Sequence, residues 1–510
     1  MRNLTIKNSV AGSPADARVT APFITGLLFA IAAIGFGTMT AVAQTAQATP
    51  PPPAAPHSAA FPKAVEKNLP NGLRVIVVPR NELPLVTAQL LIESGSEVDP
   101  ADLSGAADMT ASLLTRGTST KSATQIAEAM EALGGTLNSG AGWDSSSISA
   151  NVMSPRIGQA LEIMADVARN PSFKDEEIER LRRQGLNGLR SALVTPGSIA
   201  RYVAARVVYR DSPYGHPVSG TPESLPRIKR DDIVKIHSMY YRPDNAILVI
   251  GGDITAANGF ELAQKYFGSW QNPPNPLPKL QITTPESTAD GRRILVIDQP
   301  AAGQTAVLAV RSAINRDSPD YFRGIVANAV LNGYSGRLNW EIRVKRGLSY
   351  GAGSFLDLRR SAGSFMATAQ TKNQSGAEVT ALTLAEISKL ATGELLDSEL
   401  STRKASLLGG FARSMETTNG IVNQFASLAM YGLPLDEINR YIGNVQAIKA
   451  ADVKAFAAAR LNAASTSVVV VGNAKEFLPE LQKQFANVEV IQATDLDLNS
   501  ANLKKTVSKN

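Results

Sequence analysis

Metal chemistry is the first thing the residue types decide, because the chain offers few ligands. It has three histidines, His57, His216 and His237, and no cysteine. His57 lies in a Pro/Ala-rich stretch, and His216 and His237 are 21 residues apart. A helical H-x-x-E-H zinc motif needs two imidazoles one helical turn apart on one face, and no pair here has that spacing. Disulfides, thiolate ligands and a cysteine nucleophile are excluded outright. No Walker-type phosphate loop supplies another chemistry. His216 precedes Pro217 in a loop and reads as structural. His237 falls one helical turn before Tyr241 and reads as packed or exposed rather than ligating. The charged run from Asp175 to Arg183 reads as a solvated helix face.

The elements that would position any site follow from length and pattern. The chain has 510 residues, 44% hydrophobic and 19% charged, enough for two large domains with real cores. The net charge of +6 is partly carried by the two ends, so nucleic acid is not the expected partner. A basic stretch, an apolar run from Phe23 to Met39 and Ala41-Val42-Ala43 read as a signal peptide over residues 1–43, cleaved after Ala43. An uncleaved membrane anchor is the alternative, since the run is long enough to span. Export without cysteine suggests a Gram-negative periplasm, where disulfides are permitted but not required. Residues 44–64 form a Pro/Ala-rich linker, expected to be extended and to add nothing to a core.

Folded structure is expected from Val65. Leu73 to Val78 and Leu85 to Ile92 read as strands, and Gly105 to Leu114 as a helix. Ser122 with Gln125 makes a capping box for the next helix. Further helices are expected at 156–168, 175–193 and 230–240, then a buried strand at 246–250. A second linker, residues 272–292, carries five prolines (Pro273, Pro274, Pro276, Pro278 and Pro285), and beyond it the pattern begins again. Asp231-Asp232-Ile233 and the strand ending at Gly251 recur as Ala451-Asp452-Val453 and the strand ending at Gly472, offset by 220 to 221 residues. That period is a duplicated domain, not a solenoid unit. The expectation is an α+β chain with two homologous lobes, 65–271 and 293–490, and a polar tail over 491–510. Each lobe is a mainly antiparallel sheet with packed helices.

Many short matches in order then give a resemblance. Leu69-Pro-Asn-Gly-Leu-Arg-Val75, Glu93-Ser-Gly-Ser-Glu-Val-Asp99, Gly105 to Thr118, Tyr214-Gly-His-Pro217, Gly220-Thr221 and Tyr241-Arg-Pro-Asp-Asn245 resemble the pitrilysin/insulinase zinc metallopeptidases over about residues 65 to 475. In active members the helix after the first glycine reads G-x-A-H-x-x-E-H. There two histidines bind zinc and the glutamate activates its water. The resemblance places Asp108 and Ser112 at the histidine positions, Ala111 at the base position and Gly188 at the third ligand. It therefore implies that this chain holds no metal and no cofactor. Active members also place an Arg and a Tyr, seven residues apart, across from the zinc. Here Arg343 and Tyr350 have that spacing, with Arg346 a competitor for the arginine role. Their donors suit a developing oxyanion.

The resemblance thus implies a non-catalytic subunit, inactive alone. It would pair in a clamshell with a homologous zinc-bearing H-x-x-E-H partner and bind peptide substrate, with no nucleic acid and no stable membrane insertion. Asn332-Gly-Tyr-Ser-Gly336 is shorter than the glycine-rich loop of the related mitochondrial processing subunit, which weakens a substrate-feeding role. A structural or peptide-binding protein of the same fold is the alternative function.

Overall fold

The structure, a computed structural model, describes residues 61–282 and 291–505. The expected signal peptide, residues 1–43, and most of the expected first linker lie outside them. Two six-stranded sheets organise the rest. The first contains β1 (Val65–Asn68), β2 (Arg74–Pro79), β3 (Leu85–Ile92), β4 (Thr136–Ala141), β5 (Ser146–Met153) and β6 (Ala246–Gly252). Its order is β1-β2-β6-β3-β5-β4. The second contains β7 (Ile294–Asp298), β8 (Thr305–Ser312), β9 (Ser349–Leu358), β10 (Gly363–Thr371), β11 (Ser467–Gly472) and β12 (Val488–Gln492), in the order β12-β7-β11-β8-β10-β9. Strand β2 pairs parallel to β6, as β7 pairs parallel to β11, and the strands beyond each are antiparallel. The sheets therefore repeat one topology. Only the outermost strands differ: β1 is the antiparallel partner of β2, and β12 the parallel partner of β7.

The central strands explain how the lobes are joined. All of β6 and β11 is buried, which requires cover on both sheet faces. On one face, Val75, Val77, Leu248 and Ile250 meet helices of their own lobe. On the other, Ile76, Val78, Ile247 and Val249 pack against Ile421, Val422, Phe425 and Ala426 of the helix Thr418–Met430. That helix belongs in sequence to the second lobe. The reverse also holds. Leu295, Ile297, Leu308, Val469 and Val471 pack against Ile199, Val203 and Val208 of the helix Pro196–Tyr209, from the first lobe. Each lobe lends one helix to the other's sheet. Burying each such side chain contributes roughly 1.5–3 kcal/mol, so the exchange binds the lobes far more strongly than surface contact would.

The β9–β10 turn adds a polar lock. Arg359 is buried, with its guanidinium over the rings of Trp143, Tyr209 and Tyr214 at 3.8, 4.2 and 4.8 Å. It also donates to the Tyr214 carbonyl at 3.2 Å and pairs with Asp357 at 2.6 Å. Next to it, Arg360 donates to the carbonyls of Glu93 and Asp144, both at 3.0 Å. The Tyr214 hydroxyl and the Arg360 amide both donate to the Asp144 carboxylate.

Two sequence expectations are corrected. The end of the 44–64 linker is not bare: Phe61 packs edge-on against Phe411 at 5.2 Å. The described part of the 491–510 tail is docked. Ile491, Leu498 and Leu503 are buried beside the Pro196–Tyr209 helix, and Arg206 donates to the Leu498 carbonyl at 3.1 and 3.3 Å. Its apolar residues are spaced too widely to show a period.

Candidate functional site

Arg343 and Tyr350 sit on consecutive pieces of the second lobe. Leu338 and Ile342, both buried, anchor a π-helical turn, Trp340–Lys345, that carries Arg343. Its backbone continues into β9 through Leu348 N–H to Ile342 C=O and Gly347 N–H to Arg343 C=O, both 2.9 Å. Gly347 has φ +66°, a turn conformation open to glycine at no steric cost. Along β9, Ala352, Leu356 and Leu358 pack on the lobe core, so strict alternation would turn Tyr350 inward as well. Instead the ladder shifts register: Ser349 pairs with Thr371 and Ala352 with Ala369. The extra residue at Tyr350–Gly351 is a β-bulge, the device that re-aims a side chain. Tyr350 is 90% exposed as a result.

The two arginines in this segment differ in commitment. Arg346 pairs with Glu341 at 2.9 Å and Glu378 at 3.2 Å. Burial opposes ionisation of Glu341, but hydrogen bonds from Arg346 and Lys345 hold its carboxyl below the usual range. Arg343 makes no ion pair among the described residues. Its guanidinium lies 5.1 Å from the centre of the exposed Tyr334 ring. Arg343 is therefore the one of the two with donors to spare. Tyr334 carries no local sequence signal for this contact, because the arginine it meets lies nine residues on.

In the first lobe, Asp99 caps the helix Ala106–Leu113, accepting from Gly105 N–H at 2.8 Å and Ala107 N–H at 2.7 Å. Gly105 has φ +93°, and a Cβ there would lie 2.8 Å from the Cα of Gly220, so the two glycines permit a close backbone approach. On this helix Asp108 is largely buried, and burial pushes its carboxyl up to about 6 even though the Ala141 amide donates to it. Ala111 is buried, Ser112 half-buried, and nothing lies within 4 Å of a Cβ built on Gly188. The two described histidines, His216 and His237, are packed inside the first lobe. Burial lowers His216 to about 4, and its Nδ1 lies 3.2 Å from the Pro217 carbonyl. Burial also lowers His237, whose Nε2 meets the Ala168 carbonyl at 2.9 Å while its ring stacks on Tyr241.

Residues 74–221 match the family described as insulinase (peptidase family M16), and residues 227–407 match the peptidase M16 inactive domain. The chain belongs to the insulinase family. This insulinase-family protein is 27% identical over 356 residues to an uncharacterised zinc protease of Mycobacterium leprae, covering 69% of this chain and 79% of that one. It is 26% identical over 411 residues to one of Rickettsia bellii, covering 79% and 97%. A peptidase M16 inactive domain from Pseudomonas fluorescens superposes with TM-score 0.75 at 26% identity, covering 80% of this chain and 98% of that one. A Helicobacter pylori protease shares the fold at TM-score 0.74 and 23% identity, with 81% and 100% covered. The two-lobed fold expected from sequence is thus the family fold.

Relatives named as zinc proteases raise the question whether this chain's own residues fit that metal. They do not. Asp108 is a single carboxylate whose burial disfavours its charged form, Ser112 offers a neutral hydroxyl, and Ala111 and Gly188 have no donor atom. Among the described residues no three His, Asp or Glu side chains gather as a metal would need.

Proposed function

We propose that this insulinase-family chain is the non-catalytic subunit of a heteromeric zinc metallopeptidase. Its second lobe faces the first lobe of a homologous partner that carries H-x-x-E-H and zinc. Tyr350 and Arg343 then reach into the closed clamshell and donate hydrogen bonds to the substrate carbonyl as it becomes an oxyanion. The observation that supports this best is the exposure of Tyr350 at 90% on an edge-strand bulge, which core packing alone does not call for. Donors aimed where charge develops act most strongly in a site that closure has dried.

The test is steady-state peptide cleavage by the reconstituted pair, with gel filtration as the assembly control. Tyr350→Phe should lower kcat by about a hundred- to a thousandfold while assembly and the partner's zinc content are unchanged. If Tyr350→Phe and Arg343→Ala both leave cleavage intact, a structural or peptide-binding subunit is the better reading. We place the complex in the periplasm. N-terminal sequencing of the exported chain should begin at Gln44, and a mature chain retaining Phe23 to Met39 would put it on a membrane instead.

A further inference from the structure

Strand β9 is last in its sheet, so its outward N–H groups have no strand partner. Two of them are nevertheless occupied. Asn339 Oδ1 accepts from Ala352 N–H at 3.2 Å, and Asn332 Oδ1 accepts from Ser354 N–H at 3.3 Å. The same Asn339 side chain turns its amide to the Tyr334 carbonyl at 2.5 Å. Asn339 is 3% exposed, so these bonds are made away from water, where a lost partner is costly. One buried side chain therefore spans the turn whose ring carries Arg343 and the residue that resumes the ladder after the Tyr350 bulge. The bulge is held from its other side too. Ser349 Oγ donates to Gly351 C=O at 2.7 Å and accepts from Gly351 N–H at 3.0 Å.

We propose that Asn339, supported by Asn332, is the positioning residue that fixes Tyr350 and Arg343 in one geometry. This rests on the catalytic reading given above. Tyr350 reaches outward with no packing of its own, and Arg343 leans only on the exposed Tyr334 ring, so the placement of both is inherited from the backbone beneath. Asn339 ties the Tyr334 turn, whose ring Arg343 leans on, to Ala352, two residues beyond Tyr350. Asn332 fixes the next outward amide along β9, and Arg403 holds the intervening turn by donating to Ser335 Oγ at 2.7 Å. With both amides satisfied inside the chain, this part of the β9 edge is also closed to an added strand, and Tyr350 stands on a platform that a substrate does not displace.

Two readouts test the assignment. In the full-length mature chain alone, Asn339→Ala should speed hydrogen exchange at the Ala352 amide at least about tenfold, and Asn332→Ala at the Ser354 amide, without matching changes in β7 or β11. With the partner, Asn339→Ala should lower kcat by about ten- to a hundredfold at little change in KM, the expected cost of a misplaced group. The variant Asn339→Ala/Tyr350→Phe should be no slower than Tyr350→Phe alone, because the asparagine acts through the tyrosine. Should Asn339→Ala not fold, Asn332→Ala removes only the exposed clamp and should give smaller effects of the same kind. Unchanged amide exchange overturns the clamp itself. Faster exchange with additive losses in kcat overturns its positioning role. If Tyr350→Phe is silent while exchange responds, the catalytic reading falls and the purpose assigned to the clamp falls with it.

Discussion

Replacing Arg359 by methionine tests the joint between the lobes most directly. The native guanidinium is 2% exposed and touches three aromatic rings, a carbonyl and a carboxylate. A desolvated cation–π contact is worth about 2 kcal/mol, and three rings around one cation do not triple it. A hydrogen bond from a charged donor contributes about 1.5–3 kcal/mol. Asp357 keeps 26% exposure, so water can take over part of that pairing and the loss there is smaller. Methionine restores much of the volume but none of the donors. The sum is a destabilisation of about 3–5 kcal/mol. Lysine keeps the charge without the planar fork and should lose less. The assay is urea unfolding followed by tryptophan fluorescence and circular dichroism, because Trp143 lies in the cage. Since each sheet is covered by a helix from the other lobe, the native protein should unfold in one coincident transition, and the variant should shift its midpoint with the slope unchanged. A loss below about 1 kcal/mol, or two separated native transitions, would refute the reasoning.

Two further outcomes follow from buried groups. Burial first, and Asp144 second, push Glu97 up to about 8 from its ordinary 4.5. Neutral Glu97 therefore favours the native state fully below pH 4.5, and that advantage drains away as pH rises to about 8, because the unfolded chain ionises first. Glu97→Gln should accordingly raise the thermal midpoint at pH 8 while changing it little at pH 4, and equal shifts at both values would contradict this. Elemental analysis of the isolated chain should find no stoichiometric zinc, and added zinc or a chelator should leave its midpoint unmoved. A tightly held equivalent would show that the Asp108 and Ser112 region can ligate after all.

What the sequence conveyed and what it withheld divide along the range of the forces. The run Ala246–Ile250 announced a buried strand, and its recurrence at Val468–Val471, within a repeat offset by 220 to 221 residues, announced the duplication. The Ser122–Gln125 capping box is present as expected. The strands β1, β4, β5, β9, β10 and β12 were not legible. In β9, Gly351, Gly353, Ser349 and Ser354 give no β-branched pattern, and the strand exists because β10 templates it. The helix Thr418–Met430 carries an apolar face in its own sequence, but nothing local names its destination on the first sheet, since a periodic stripe shows which face is apolar and not what covers it. The Pro196–Tyr209 helix was missed although Pro196 opens it as proline commonly does. The Arg/Tyr spacing was readable, but the bulge that turns Tyr350 outward and the asparagines that hold it depend on residues distant in the ladder.

The exchange of helices bears on how such a chain can be made. Synthesis runs from one end, and residue 418 comes 166 positions after β6 closes the first sheet. Throughout that interval the nascent first half shows one bare sheet face and one bare helix stripe, both apolar. It cannot mature as each half appears, and a chaperone or delayed folding must shield it until the remainder arrives. The same dependence makes the molecule divisible in an unusual sense. Cut in the linker between the halves, each fragment carries the other's missing cover, so neither should stay soluble alone and the two should recover the native fold when produced together.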